Sequence, residues 1–98
     1  MYKIIFQPLS IIDIQEIIDY YDLINPKITD DFLEELKISI SNIEKMPKAF
    51  PTKLNNIRTI YLKKFRYGIY FKVYSEIKTV NIIAIIHTSR NPKIWKKR

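Results

Sequence analysis

The side chains of this sequence best equipped for chemistry gather toward its C-terminal end. His87 closes an apolar run, and Arg90 follows it in the order His-Thr-Ser-Arg. Histidine carries protons near neutral pH, and arginine holds oxyanions through a planar fork of donors. Such a pair suits phosphate chemistry, where a proton moves and a developing anion needs stabilising. Lys63, Lys64 and Arg66 form a second basic group; Lys93, Trp95, Lys96 and Lys97 form a third. These cations suit the phosphates or carboxylates of a partner, and Trp95 suits either stacking on a base or anchoring the tail. Each has a plainer reading beside it. A single histidine at a strand end often makes a structural hydrogen bond, and a run of terminal lysines is also what a frayed end looks like. Tyr61, Tyr67, Tyr70 and Tyr74 lie among the cations, a composition shared by RNA-binding sheets and by ordinary strands.

Several chemistries are excluded. The chain has no cysteine, so thiolate nucleophiles, thiolate metal sites and disulfides are ruled out. One glycine, Gly68, cannot make a phosphate-cradling glycine-rich loop, and one histidine cannot build a multi-histidine metal site. No cofactor and no metal are expected. The N-terminus lacks a signal-peptide core, and the longest wholly apolar stretch, 82–86, falls far short of the roughly 20 residues of a membrane helix. The expectation is a cytoplasmic protein without a membrane partner.

Charge is distributed unevenly. Residues 1–46 carry four basic and nine acidic side chains, a net of −5; residues 47–98 carry thirteen basic and one acidic, a net of +12. A field so concentrated in one half favours an anionic partner, nucleic acid or acidic protein.

The elements that position these residues follow from periodicity. Tyr2 to Phe6 reads as a strand ended by Pro8. Pro8 opens a helix that stops near Ile24, with Ser10 and Asp13 resembling a capping pair. Leu9, Ile12, Glu16, Ile17 and Tyr20 follow helical spacing, with Ile14, Ile18 and Tyr21 widening the apolar face; Asp13, Glu16, Asp19 and Asp22 take the other side. Asn25-Pro26 starts a second helix that runs to about Lys45, carrying Phe32, Leu36, Ile40 and Ile43. Residues 46–56 form a proline-containing loop. The period then changes to two, and 57–62, 67–74 and 79–87 read as strands, with a turn at 75–78 and a looser link at 63–66. The fold class is α+β in the order β-α-α-β-β-β: one domain over residues 1–98, with a helical hairpin packed on one face of an antiparallel sheet. The other face is then free to bind a partner.

These segments, in this order, resemble the RelE/ParE toxin superfamily of type II toxin–antitoxin systems, and its ParE-like members in particular. The resemblance rests on Asp13, Ile17 and Tyr20-Tyr21 in the first helix, on Leu36, Ile40, Ile43 and Met46-Pro47 in the second, on the strand Phe65 to Phe71, and on the ending His87, Arg90-Asn91-Pro92 and Trp95. It implies a toxin that arrests growth and forms a hetero-oligomer with a cognate acidic antitoxin. It implies either DNA gyrase or ribosome-bound messenger RNA as the target, since one fold serves both. Only the second would make the chain an enzyme, an endoribonuclease with His87 and Arg90 as catalytic residues. Gly68 stands where ribonuclease members carry an arginine, which favours gyrase. Lys63, Lys64, Arg66, Arg90, Lys93, Trp95, Lys96 and Lys97 would then bind antitoxin or target. A non-toxic basic nucleic-acid-binding domain is the alternative outside the family.

Overall fold

The computed structural model describes residues 1–53 and 55–90. Along the chain run β1 (Lys3–Phe6), α1 (Pro8–Ile24), α2 (Pro26–Lys45), β2 (Ile57–Tyr61), β3 (Tyr67–Tyr74) and β4 (Thr79–His87). Both helices begin on a proline, whose missing N–H costs nothing in the first turn. Asn25 caps α2 as expected, its side-chain oxygen accepting from the Lys27 amide at 3.0 Å. The capping pair expected for α1 does not form. Ser10 is fully buried and its hydroxyl donates to the Gln7 carbonyl at 2.7 Å, while Asp13 is used elsewhere. Thr29 donates its hydroxyl to Asp22 at 2.5 Å, tying the two helices together near their junction.

The sheet order is β1-β4-β3-β2. β3 pairs antiparallel with both neighbours, but β1 lies parallel to β4, with Lys3 opposite Thr79 and Phe6 opposite Ile82. The sheet is therefore mixed rather than wholly antiparallel. Nothing in the four residues of β1 encodes which strand they join; the helical hairpin decides it by carrying the chain from one edge of the sheet to the other. A bulge in β4 opposes Tyr70 to Ala84 and Phe71 to Ile82, leaving Ile83 as the extra residue. Alternation flips there. Val80, Ile82 and Ile85 belong to the core under the helices, whereas Ala84 and Ile86 belong to the far side.

Under the helices, Phe32, Ile43, Ile69, Phe71, Val80 and Ile82 are wholly buried. Phe32 meets Phe65 and Tyr67 edge-on at 5.5 and 5.7 Å between ring centres, a geometry that aromatic quadrupoles favour. On the far face Ile57, Tyr70, Ala84 and Ile86 make a second buried cluster. The inward face of α1 also differs from the spacing-based reading. Ile14, Ile17 and Tyr21 pack on the core, while Leu9, Ile12 and Tyr20 are 47, 51 and 58% exposed.

Short-range devices hold the described residues that follow α2. Pro47–Ala49 makes a 3-10 turn, and the Arg58 guanidinium donates to the carbonyls of Lys48 at 3.1 Å and Phe50 at 2.7 Å. Asn55 and Asn56 sit at φ 55° and 63°, a left-handed region that asparagine tolerates. The β3–β4 turn is a 3-10 turn at Ser75–Ile77 followed by Lys78 at φ 46°. Among the described residues no helix is long and apolar enough to cross a membrane.

Candidate functional site

β4 outlasts its neighbour. β1 ends at Phe6, and the Gln7 amide makes the last bond to β4, at the Ile82 carbonyl (2.9 Å). Beyond that point the backbone of β4 needs another partner, and α1 supplies one: Asp13 accepts from the Ile85 amide at 3.0 Å. This contact draws α1 alongside the last part of β4. A pocket of about 520 Å³ opens between them, walled by Asp13, Glu16, Tyr20, Tyr21 and Ile24 from α1, by Tyr67, and by His87, Ser89 and Arg90.

His87 is fixed within this wall. Its ring stands edge-on to Tyr67 at 5.1 Å. Its Nδ1 lies 3.1 Å from the Ser89 amide and 2.7 Å from the Ser89 hydroxyl. A backbone amide only donates, so Nδ1 accepts, and the neutral ring carries its proton on Nε2. In that neutral form His87 offers its Nε2–H as a donor. The Arg90 amide donates to the His87 carbonyl at 3.0 Å and closes the turn at 88–90. The Tyr67 phenol is pushed up to about 12, first by burial and then by Tyr21, which repels and hydrogen-bonds it, against a smaller opposing pull from Arg90. It stays neutral at physiological pH and is no nucleophile there.

The second basic group is held from below. Glu35 on α2 accepts from the Lys63 amide and from the Lys64 amide, the latter at 3.1 Å. Phe65 plugs the core between Tyr21 and Phe32, 5.5 Å from each. The Thr88 amide donates to the Arg66 carbonyl at 2.8 Å, so the turn at 63–66 lies against the turn at 88–90. Three anchors thus fix a turn on which Lys63, Lys64 and Arg66 are exposed.

Gly68 sits in β3 opposite Tyr61. Its φ is not positive, so its role is space rather than conformational freedom. A Cβ built there would lie 3.1 and 3.2 Å from the Tyr61 ring and 3.2 Å from the Tyr70 ring. The Tyr70 phenol, pushed up to about 12 by burial and then by Tyr61, is 5% exposed. Two tyrosine rings therefore close over the position.

Of the residues expected at a site, His87 and Arg90 share the pocket, while Lys63, Lys64 and Arg66 stand beside it on the neighbouring turn and are not among its walls. Lys93, Trp95, Lys96 and Lys97 lie outside the described residues. Sequence reasoning missed the acidic and tyrosine wall from α1, because periodicity assigned those carboxylates to a solvated side. It also missed Glu35, whose bonds to residues 63 and 64 leave no trace in local pattern. Among the described residues no group of three or more histidines and carboxylates could hold a metal ion.

Comparison with known proteins decides the family. The model described as "ParE toxin of type II toxin-antitoxin system, parDE" matches residues 4–92. The chain belongs to the ParE toxin family. Among solved structures, this ParE-family toxin is similar to the chromosomal ParDE toxin–antitoxin system from P. aeruginosa, with a TM-score of 0.76 at 18% identity over 91% of this chain and 98% of the other. It is also similar to the intact E. coli RelBE complex (TM-score 0.68, 16% identity, 92% and 100% covered) and to the isolated E. coli RelE toxin (0.66, 15%, 99% and 95%). No curated protein sequence matches the chain. At such identities these likenesses establish the fold alone, two helices on a four-stranded mixed sheet, which ParE and RelE toxins share.

Proposed function

We propose that this ParE-family toxin arrests bacterial growth by acting on DNA gyrase and is neutralised by a cognate acidic antitoxin. The docking cations are Lys63, Lys64 and Arg66 on their anchored turn, Arg90 on the next, and the basic residues beyond it. The observation that carries the choice of target is Gly68. Ribonuclease members of the superfamily place an arginine at that position; here Tyr61 and Tyr70 occupy the space such a side chain would leave through. His87, the one histidine, already spends Nδ1 on Ser89 and is poorly placed to take a proton there.

A second reading, ribosome-dependent messenger cleavage, draws on the shared pocket of His87 and Arg90, a donor beside a cation. Inducible expression of the chain alone separates the two. Filamentation with DNA damage and altered supercoiling is the expected result. Early loss of translation with fragmented messenger would move the function to the ribonuclease, and unimpaired growth despite soluble expression would end the toxin reading for this chain.

A further inference from the structure

α1 carries a second apolar face that the fold does not cover. At about 100° per residue, Leu9, Ile12, Glu16, Tyr20, Leu23 and Ile24 fall within one arc of about 120°, which also holds Asp13 on the side where it bonds Ile85 and adjoins the core-facing line of Ser10, Ile14, Ile17 and Tyr21. The apolar members are 47 to 88% exposed. Spacings of three and four residues over four turns make a seam rather than a scatter of surface side chains. Glu16, Tyr20 and Ile24 also wall the pocket beside β4, so seam and pocket form one continuous surface.

Charge identifies what fits it. Glu16 stands at the middle of the seam, and Asp19 borders it. A second copy of this chain, packed by two-fold symmetry on the centre of the seam, would place Glu16 against Glu16, whether the helices ran parallel or antiparallel. Such like-charge juxtaposition is unfavourable. A helix of another protein with an arginine or lysine at its own seam has no such conflict. Its aliphatic residues would cover Leu9, Ile12 and Leu23, its cation would meet Glu16, and the stem of that cation would lie on the Tyr20 ring.

We propose that the exposed seam of α1 is a docking surface for a cationic amphipathic helix of a protein partner. The seam meets the turn that carries Arg90 at the pocket, but its own charges, Glu16 and Asp19, are opposite in sign to the basic turns, and the inference does not depend on which target the toxin attacks.

The test uses two synthetic helical peptides of about 18 residues, five turns, with leucines at alternating spacings of three and four. One carries arginine at the central seam position and the other glutamate. Fluorescence anisotropy reads their binding to the full chain at several salt concentrations. The net charge of +7 by itself would favour the glutamate peptide. The expected result is the reverse, with the arginine peptide bound about five-fold more tightly. Glu16→Lys should invert that order, and Leu23→Ser should weaken both peptides while leaving the melting temperature unchanged, because neither side chain is buried. Preference for the glutamate peptide, or indifference to Glu16→Lys, would overturn the proposal. So would self-association of the free chain that Leu23→Ser abolishes, which would assign the seam to a second copy. Tighter peptide binding after Lys93, Lys96, Lys97 and Arg98 are replaced by glutamine would assign it to the chain's own end and equally overturn it.

Discussion

Replacing Gly68 with alanine adds one methyl group to the most crowded point of the far sheet face. Carbon atoms prefer separations of roughly 3.5–4.0 Å. The new Cβ would find three ring carbons at 3.1, 3.2 and 3.2 Å, each about half an ångström too near. The Tyr61 ring is 48% exposed and can swing outward, but Tyr70 is 5% exposed and held by its cluster. Overpacking of this kind costs about 1–3 kcal/mol, and the middle of that range, about 2 kcal/mol, applies because one of the two rings can yield and the other is held. Alanine also restricts the unfolded chain, which returns about 0.4–1 kcal/mol at a backbone position it can adopt. The net expectation is a destabilisation of about 1 kcal/mol, seen as a fall in melting temperature of about 4–8 °C for a domain of this size. Thermal unfolding followed by circular dichroism on a double-mutant cycle isolates the cause. With Tyr61→Ala already in place, two of the three close contacts vanish and the Tyr70 ring gains room to shift toward the vacated space, so Gly68→Ala should cost less. An equal fall in both backgrounds would refute the argument that ring crowding keeps this position a glycine, and with it the physical basis for setting ribonuclease action second.

Three further outcomes follow from the same geometry. Glu35→Ala should speed hydrogen exchange at the Lys63 and Lys64 amides and weaken binding of an acidic antitoxin, while Lys37→Ala on the same helix should do neither; exchange mass spectrometry with a binding titration reads both. Tyr67 and Tyr70 have folded-state values near 12 against an ordinary value near 10, so the folded form holds their protons more tightly than the unfolded chain does. Their contribution to stability is complete below about pH 10 and is lost as pH climbs toward 12, which tyrosinate absorbance and melting temperature measured together across that window would display. Arg90→Ala should leave the melting temperature unchanged, since the residue is exposed, and should relieve growth arrest on expression; arrest as strong as the parent's would remove Arg90 from target docking.

Local signals made most of the fold legible. Asn25-Pro26 announced α2 because an asparagine cap and a first-turn proline act within a few residues of each other. The switch to alternation at Ile57 announced β2, β3 and β4, and the ordered run of family-like segments announced the fold class and the family. What stayed hidden depends on distant partners. Ser10 and Asp13 have the types and spacing of a cap, yet Asp13 is claimed by Ile85 across the fold. Leu9, Ile12 and Tyr20 share a period with Ile17, yet a helix of this length has two apolar arcs and only tertiary packing chooses between them. His87 and Arg90 were identified from chemistry alone, but their neighbours on α1 entered the site only because β1 is shorter than β4.

The parallel pairing of β1 with β4 has a consequence for the order in which the molecule is assembled. Lys3 to Phe6 emerge well before the strand they join, Thr79 to Ile82, which is made only after both helices, β2 and β3. The helical hairpin and the β2–β3 ladder are local and can form on the nascent chain, whereas the first strand must wait, its backbone unpaired, until β4 emerges. Closing so long a loop is the slow, entropy-limited event, so ordering of the sheet edge beside α1 should be the last step of folding. A chaperone, protease or partner that acts during translation would therefore meet this protein with its N-terminal strand still undocked.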